Sequence, residues 1–198
     1  MEEIKPRYEF RVWDDALTRV REKLEHFAQS KKTESEETYL VSSVTEKCNA
    51  KIRAALMDIK VLVDVERELE QWRPIMKAEF PLPGSIISEQ VFPSLKVPSP
   101  QLDKRSYSLD EFLSLMSNQP EIAVVRVHKI RYQFKVGNCA AEYAQVTLND
   151  VPRDTVAVES VDADAVLQLV EDLGIIGANT SYIREMKRIL RLSEPIRR

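Results

Sequence analysis

At 198 residues, 43% hydrophobic and 31% charged, the chain has an ordinary globular composition and enough length for one domain with a real core. Its 29 Lys+Arg against 32 Asp+Glu give a formal net charge of −3, which excludes a global basic field and argues against a nucleic-acid polymer as partner; any anion site must be built by sorting bases onto one surface. Cys48 and Cys139 are too few for a disulfide framework, the 4 glycines form no phosphate-cradling loop, and neither a membrane span nor a signal sequence is seen, so a cytoplasmic protein with no membrane partner is expected.

Lys5 to Trp13 alternates as a strand does, with Arg7, Glu9 and Arg11 on one face and Tyr8, Phe10 and Val12 on the other. Asp14 and Asp15 offer an N-cap for a helix in which Leu17, Val20, Leu24 and Phe27 recur at helical spacing, up to about Ser30. Lys31 to Glu37 reads as a polar loop and Thr38 to Ser43 as a second strand. Asn49 to Val63 then reads as a hairpin of Lys51–Arg53 and Met57–Leu62, joined at Ala54 to Leu56. Lys51 and Arg53 share a face, as do Asp58 and Lys60, while Ile52, Ile59 and Val61 take the other.

Glu66 to Phe80 predicts a helix, interrupted or restarted at Pro74 and ended by Pro81-Leu82-Pro83-Gly84. Prolines punctuate Pro81 to Arg105, an irregular connection with one strand expected at Ile86 to Phe92. Ser108 to Glu111 resembles a capping box opening a helix to about Ser117. Glu121 to Asp150 carries the richest strand signal, and within it Ile122 to Lys135 slips parity. Arg126 and His128 share one phase and Lys129, Arg131, Gln133 and Lys135 the other, which a bulge or strand switch near His128 would reconcile. Val136 to Asn138 turns into a return strand, Cys139 to Asn149, that contains Glu142. Thr155 to Ser160 sets Thr155, Ala157 and Glu159 on one face. Helices are expected over Asp164 to Leu173 and Ser181 to Leu192, with a frayed tail at Pro195 to Arg198. Charged-faced strands with amphipathic helices to cover their apolar sides predict an α+β protein; a sheet of this kind that curls closed is an antiparallel β-barrel with a charged lumen.

In this order the pieces resemble the CYTH superfamily, the triphosphate tunnel metalloenzymes. The matching features are RYEFRV before a long helix, TYLVS, the KIR…LMDIK hairpin, VHKIRY before a GN turn, the return strand with Glu142, TVAVES, and a closing helix entered at SYIREM. The resemblance spans most of the chain as a single domain, 1–198, with a variable middle at residues 75–119. It implies an antiparallel tunnel, flanked by helices, whose charged lumen binds a triphosphate, a nucleotide or inorganic polyphosphate with Mg2+ or Mn2+.

Carried onto this sequence, the resemblance makes Arg7, Arg11, Lys51, Arg53, Lys60, Arg126, Lys129 and Arg131 the phosphate-binding set. Glu9, Glu142 and Glu159 become candidate metal ligands, with Asp58 as a fourth carboxylate. Glu9 and Glu159 become the catalytic acids of a metal-dependent phosphohydrolase, nucleotidyl cyclisation being a lesser branch. The chain departs from the pattern twice. Arg7 stands where the first acid of an ExExK motif is expected, and Ala157 replaces one acid of a late ExE pair. The metal-holding acids are thus halved while the bases are retained. Two other readings stay open: a non-catalytic anion-binding module, and a structural domain whose lumen is filled by its own salt bridges.

Overall fold

The computed structural model describes residues 5–14 and 16–192. Arg7–Trp13 forms β1, Thr18–Phe27 α1, Lys31–Ser42 β2, Cys48–Arg53 β3, Leu56–Glu66 β4 and Leu69–Glu79 β5. A short strand β6 (Leu82–Pro83) leads into α2 (Gly84–Ile86), a π-helical turn (Ile87–Val91) and α3 (Phe92–Leu95). Then come β7 (Ser106–Tyr107), α4 (Leu109–Ser117), β8 (Ile122–Val136), β9 (Cys139–Leu148), β10 (Val151–Ser160), α5 (Ala163–Leu173) and α6 (Tyr182–Leu190). The long strands close into a barrel in the order β1-β10-β9-β8-β2-β3-β4-β5, while β6 and β7 pair separately. The antiparallel α+β barrel expected from the sequence is the fold observed.

The chain divides into two compact units: the first is the chain up to Glu36 with Leu62–Arg73 and Val127–Ser181, the second Glu37–Val61, Pro74–Arg126 and the chain from Tyr182 onward. In the first, Phe10 and Val12 of β1, Ala141 and Tyr143 of β9, and Val156 and Val158 of β10 share a core with Leu24 of α1 and Val166, Leu169 and Leu173 of α5. Asp162 caps α5 by accepting from Asp164 N at 3.0 Å and Ala165 N at 3.3 Å, and Gly174 ends it in the left-handed region at φ 64°. The interior of an eight-stranded barrel is just wide enough for side chains, so the face covered by α1 and α5 points outward. The alternate residues Arg7, Glu9, Arg11, Glu142 and Glu159 therefore turn inward.

The second unit repeats this logic. Ala50, Ile52, Met57 and Ile59 pack against Phe92, Leu95, Phe112 and Met116, leaving Lys51, Arg53, Asp58 and Lys60 on the other face. The β3–β4 hairpin turns through Ala54 and Ala55, both at positive φ (49° and 56°), which shortens the expected connection and lengthens both strands. Ser108 accepts from Glu111 N while Glu111 accepts from Ser108 N, the capping box read from the sequence.

Three strand, loop and helix assignments and one helix cap are overturned. Lys31 to Glu37 is strand, not loop, the first half of β2. Glu66 to Phe80 is no helix. Arg67 and Glu68 turn the chain at positive φ (50° and 66°), and β5 follows with Glu70 and Trp72 on the inward face of β1's neighbour strand. Its good helix formers are overridden by a place in the sheet, and Pro74 removes the hydrogen bond that a helix would need there. Ile86 to Phe92 is helical rather than extended, its apolar Ile87, Val91 and Phe92 all fully buried. Asp14 Oδ1 accepts from Ala16 N at 2.9 Å, but the residue at the α1 N-cap position is Leu17. Asp15 and the expected tail at 195–198 lie outside the described residues.

Cys48 is 2% exposed, and burial pushes its thiol up to about 12. In the folded protein Cys48 is expected to resist iodoacetamide at mildly alkaline pH and to react once urea unfolds the chain, read by mass spectrometry. Among the described residues no helix is long and apolar enough to cross a membrane.

Candidate functional site

On the first unit's wall, β1 lies between β10 and β5, so Glu9 stands directly opposite Glu159 on one side and Glu70 on the other. Three carboxylates in one cross-strand row repel each other, and flanking bases relieve them. Arg7 Nη1 donates to Glu159 Oε1 at 2.7 Å, and Arg11 Nε donates to Glu9 Oε1 at 2.9 Å. Glu70 accepts from Trp72 Nε1 at 3.1 Å.

The next row of the wall is organised by Arg11, only 6% exposed. Its Nη1 donates to Thr155 Oγ1 at 3.2 Å and lies 3.6 Å from Glu142 Oε1, while Arg131 Nη1 lies 3.6 Å from the other Glu142 oxygen. One guanidinium thus meets oxygens from β1, β10 and β9, which the planar fork of arginine suits and an ammonium does not. Asn179, in the segment before α6, fixes the backbone here. Its side chain accepts from Arg11 N at 2.9 Å and donates to Glu9 O at 2.9 Å and Glu68 O at 2.8 Å. Asn179→Ala strands these groups and is expected to lower stability by about 1–3 kcal/mol, measured by urea unfolding.

The second unit's wall is built on β2, β3 and β4. Glu37 pairs with Arg53 in register and Lys51 with Asp58, while Lys60 faces Asn49. The Glu37 side chain is wholly buried, with one oxygen 3.6 Å from Lys51 Nζ and the other 3.6 Å from Arg53 Nη1. Lys51 Nζ also lies 5.9 Å from the centre of the Tyr39 ring, on which Tyr182 of α6 stacks at 5.7 Å. Burial is the main force lowering the Lys51 pKa, with Arg53 and Lys60 adding to it; Glu37 and Asp58 oppose them.

The structure therefore gathers Arg7, Glu9, Arg11, Arg131, Glu142 and Glu159 on one wall and Lys51, Arg53, Asp58 and Lys60 on the other unit's wall. Lys129 is buried at 3% exposure and pairs in register with Val146. Arg126 is placed differently. β8 pairs with β9 without a bulge from Val127 to Val136, so the expected slip at His128 is absent there, and exposed Arg126 keeps the phase of His128 rather than of Arg131. His128 donates its own tie to Glu34, 2.7 Å away.

The acids fit a metal poorly. Mg2+ or Mn2+ needs one or more carboxylates with free oxygens aimed at a common point, whereas Glu9, Glu142 and Glu159 are aimed at Arg11, at Arg11 and Arg131, and at Arg7. Among the described residues no group of three or more His, Cys, Asp or Glu is arranged to hold a metal ion. Three residues of these walls escaped the sequence reading. Glu37 was hidden in an apparent loop and Glu70 in an apparent helix, where Pro74 was the available signal; Asn179 lies in an irregular segment and gave none.

No protein-family model matches the sequence, and no curated protein matches it. Solved structures do. A conserved hypothetical protein from Pyrococcus furiosus superposes with a TM-score of 0.55 at 12% identity, over 89% of this chain and 98% of that one. The PH1012 protein from Pyrococcus horikoshii gives 0.51 at 15% identity, over 91% and 98%. HpAC1 from Hippeastrum, named for adenylyl cyclase and described by a dominant triphosphatase activity, gives 0.53 at 10% identity, over 96% and 100%. At such identities the likeness shows the fold alone: a closed antiparallel barrel flanked by helices.

Proposed function

We propose that the chain binds the triphosphate group of a small molecule, or inorganic polyphosphate, on the basic side chains its barrel turns inward. The observation that carries this reading is Lys51. It is a half-buried cation, its side chain 17% exposed, beside Arg53, and the inward bases Lys51, Arg53 and Lys60 outnumber Glu37 and Asp58 on that wall. Excess positive charge in a poorly solvated place is relieved by an anion, and polyphosphate offers many oxygens along its length. The first unit's wall, taken by itself, offers Arg7, Arg11, Lys129 and Arg131 as its own phosphate contacts. The triphosphatase description of HpAC1, a protein of the same fold, supports the choice of ligand.

The reading is of binding. Hydrolysis would ask Glu9 or Glu159 to orient an attacking water, and both carboxylates are held by arginines. Thermal unfolding with tripolyphosphate tests it. At a hundredfold excess over Kd a bound ligand adds about 2.7 kcal/mol, a rise in Tm of several degrees, and Lys51→Met should reduce that rise. Sodium sulfate at matched ionic strength should give a smaller one. No rise with tripolyphosphate would remove the phosphate reading and leave the internally salt-bridged wall, which the pairing of Glu9, Glu142 and Glu159 favours.

A further inference from the structure

On the first unit's wall three arginines already have carboxylate partners. Arg7 is held by Glu159, Arg11 by Glu9 and Glu142, and Arg131 by Glu142. A phosphate chain can take these arginines only where a carboxylate lets go of its base. Arg11 does not let go easily. It is buried, and its bond to Glu9 at 2.9 Å is joined by the one to Thr155. Glu159 is different: its side chain is 30% exposed, and its partner Arg7 is 57% exposed. An exposed pair of this kind gains little over its solvated ions. Glu142 is held at 3.6 Å by both Arg11 and Arg131, beyond hydrogen-bond length, so it too is loosely tied.

We propose that Glu159 and Glu142 are built-in competitors for the anion: phosphate binds by exchanging with their carboxylates on Arg7, Arg11 and Arg131, with no bridging metal. This inference rests on the phosphate-binding reading above and sets how that site is regulated. It reverses the sign expected of these glutamates. As metal ligands they would strengthen binding, and their removal would weaken it. As competitors they weaken binding, and their removal strengthens it. The substitution of Arg7 for the acid expected there is consistent with this arrangement, because a base now occupies the carboxylate of Glu159.

The test is calorimetric titration of tripolyphosphate into the full chain and into Glu159→Gln and Glu142→Gln, in EDTA and again with Mg2+, at constant ionic strength. Gln keeps the shape of Glu, and the two substitutions sit on different strands, so a folding defect in one leaves the other informative. The expected result is metal-independent binding that Glu159→Gln tightens by about fivefold, the release of one exposed pair. A silent parent with binding variants removes the phosphate reading of the native chain, and the exchange with it. Unchanged or weaker binding by both variants, or a parent that binds only with Mg2+, overturns it while leaving a phosphate site in place. Silence from all three proteins in both buffers overturns the exchange and the phosphate reading together.

Discussion

Arg11→Met is expected to lower the stability of the folded chain by about 3–5 kcal/mol at neutral pH, the range for a buried pair that loses one partner. Arg11 is 6% exposed and is the base that Glu9 and Thr155 bond directly and that Glu142 approaches. Methionine fills much of the stem's volume but leaves Glu9 beside Glu159 and Glu70 with its nearest cation gone. For a chain of this length that loss corresponds to a fall in Tm of about 10 °C, and it shows as a lower urea midpoint with little change in slope. Arg11→Lys should recover only part of it, because a single ammonium cannot span acceptors on three strands. A loss under about 1 kcal/mol would mean that the wall's carboxylates are served by water, and the ion-pair account of this unit would fail.

Glu37→Leu removes the buried anion of the second unit and is expected to destabilise by a similar amount, about 3–5 kcal/mol. The Glu37 side chain is wholly enclosed between Lys51 and Arg53, so its loss leaves two cations facing each other. The pH dependence has a definite sign. Burial holds the Lys51 pKa below the ordinary lysine value, so between that lowered pKa and about 10.5 the unfolded chain binds more protons than the folded one. Stability carried by Lys51 therefore rises with pH through that window, as the half-buried ammonium is discharged. Glu37 pulls the Lys51 pKa upward, so in Glu37→Leu the rise should begin at lower pH. Urea midpoints followed from neutral pH into the lysine range measure both effects. A variant whose stability is flat across that range would show that Lys51 stays charged and solvated. Lys51→Met in the same background should abolish the rise.

The face of Arg11, but not its partners, follows from the sequence, whereas Glu37 reads there as loop and neither its face nor its partners follow. Period-two alternation in RYEFRVW and in the β3–β4 hairpin determined that Arg7, Glu9 and Arg11, and Lys51 and Arg53, share faces, because side chains on a strand alternate whatever the strand pairs with. The capping box at Ser108 and Glu111, the turn at Gly137 and the helix over 163–173 were equally local and equally readable. Glu66 to Phe80 was not, since its helix-forming residues are a weak preference that a place between β4 and β1 overrides.

The sequence alone therefore determined an antiparallel, helix-covered sheet with charge on its inner face. Only the tertiary structure decided that β5 closes the barrel and brings Glu70 beside Glu9, that uninterrupted register leaves Arg126 in the phase of His128, and that Glu142 and Glu159 meet arginines. The physical reason is range. Alternation and capping act within a few residues, whereas which acid faces which base is fixed by strand register between segments more than a hundred residues apart, as Arg7 and Glu159 are.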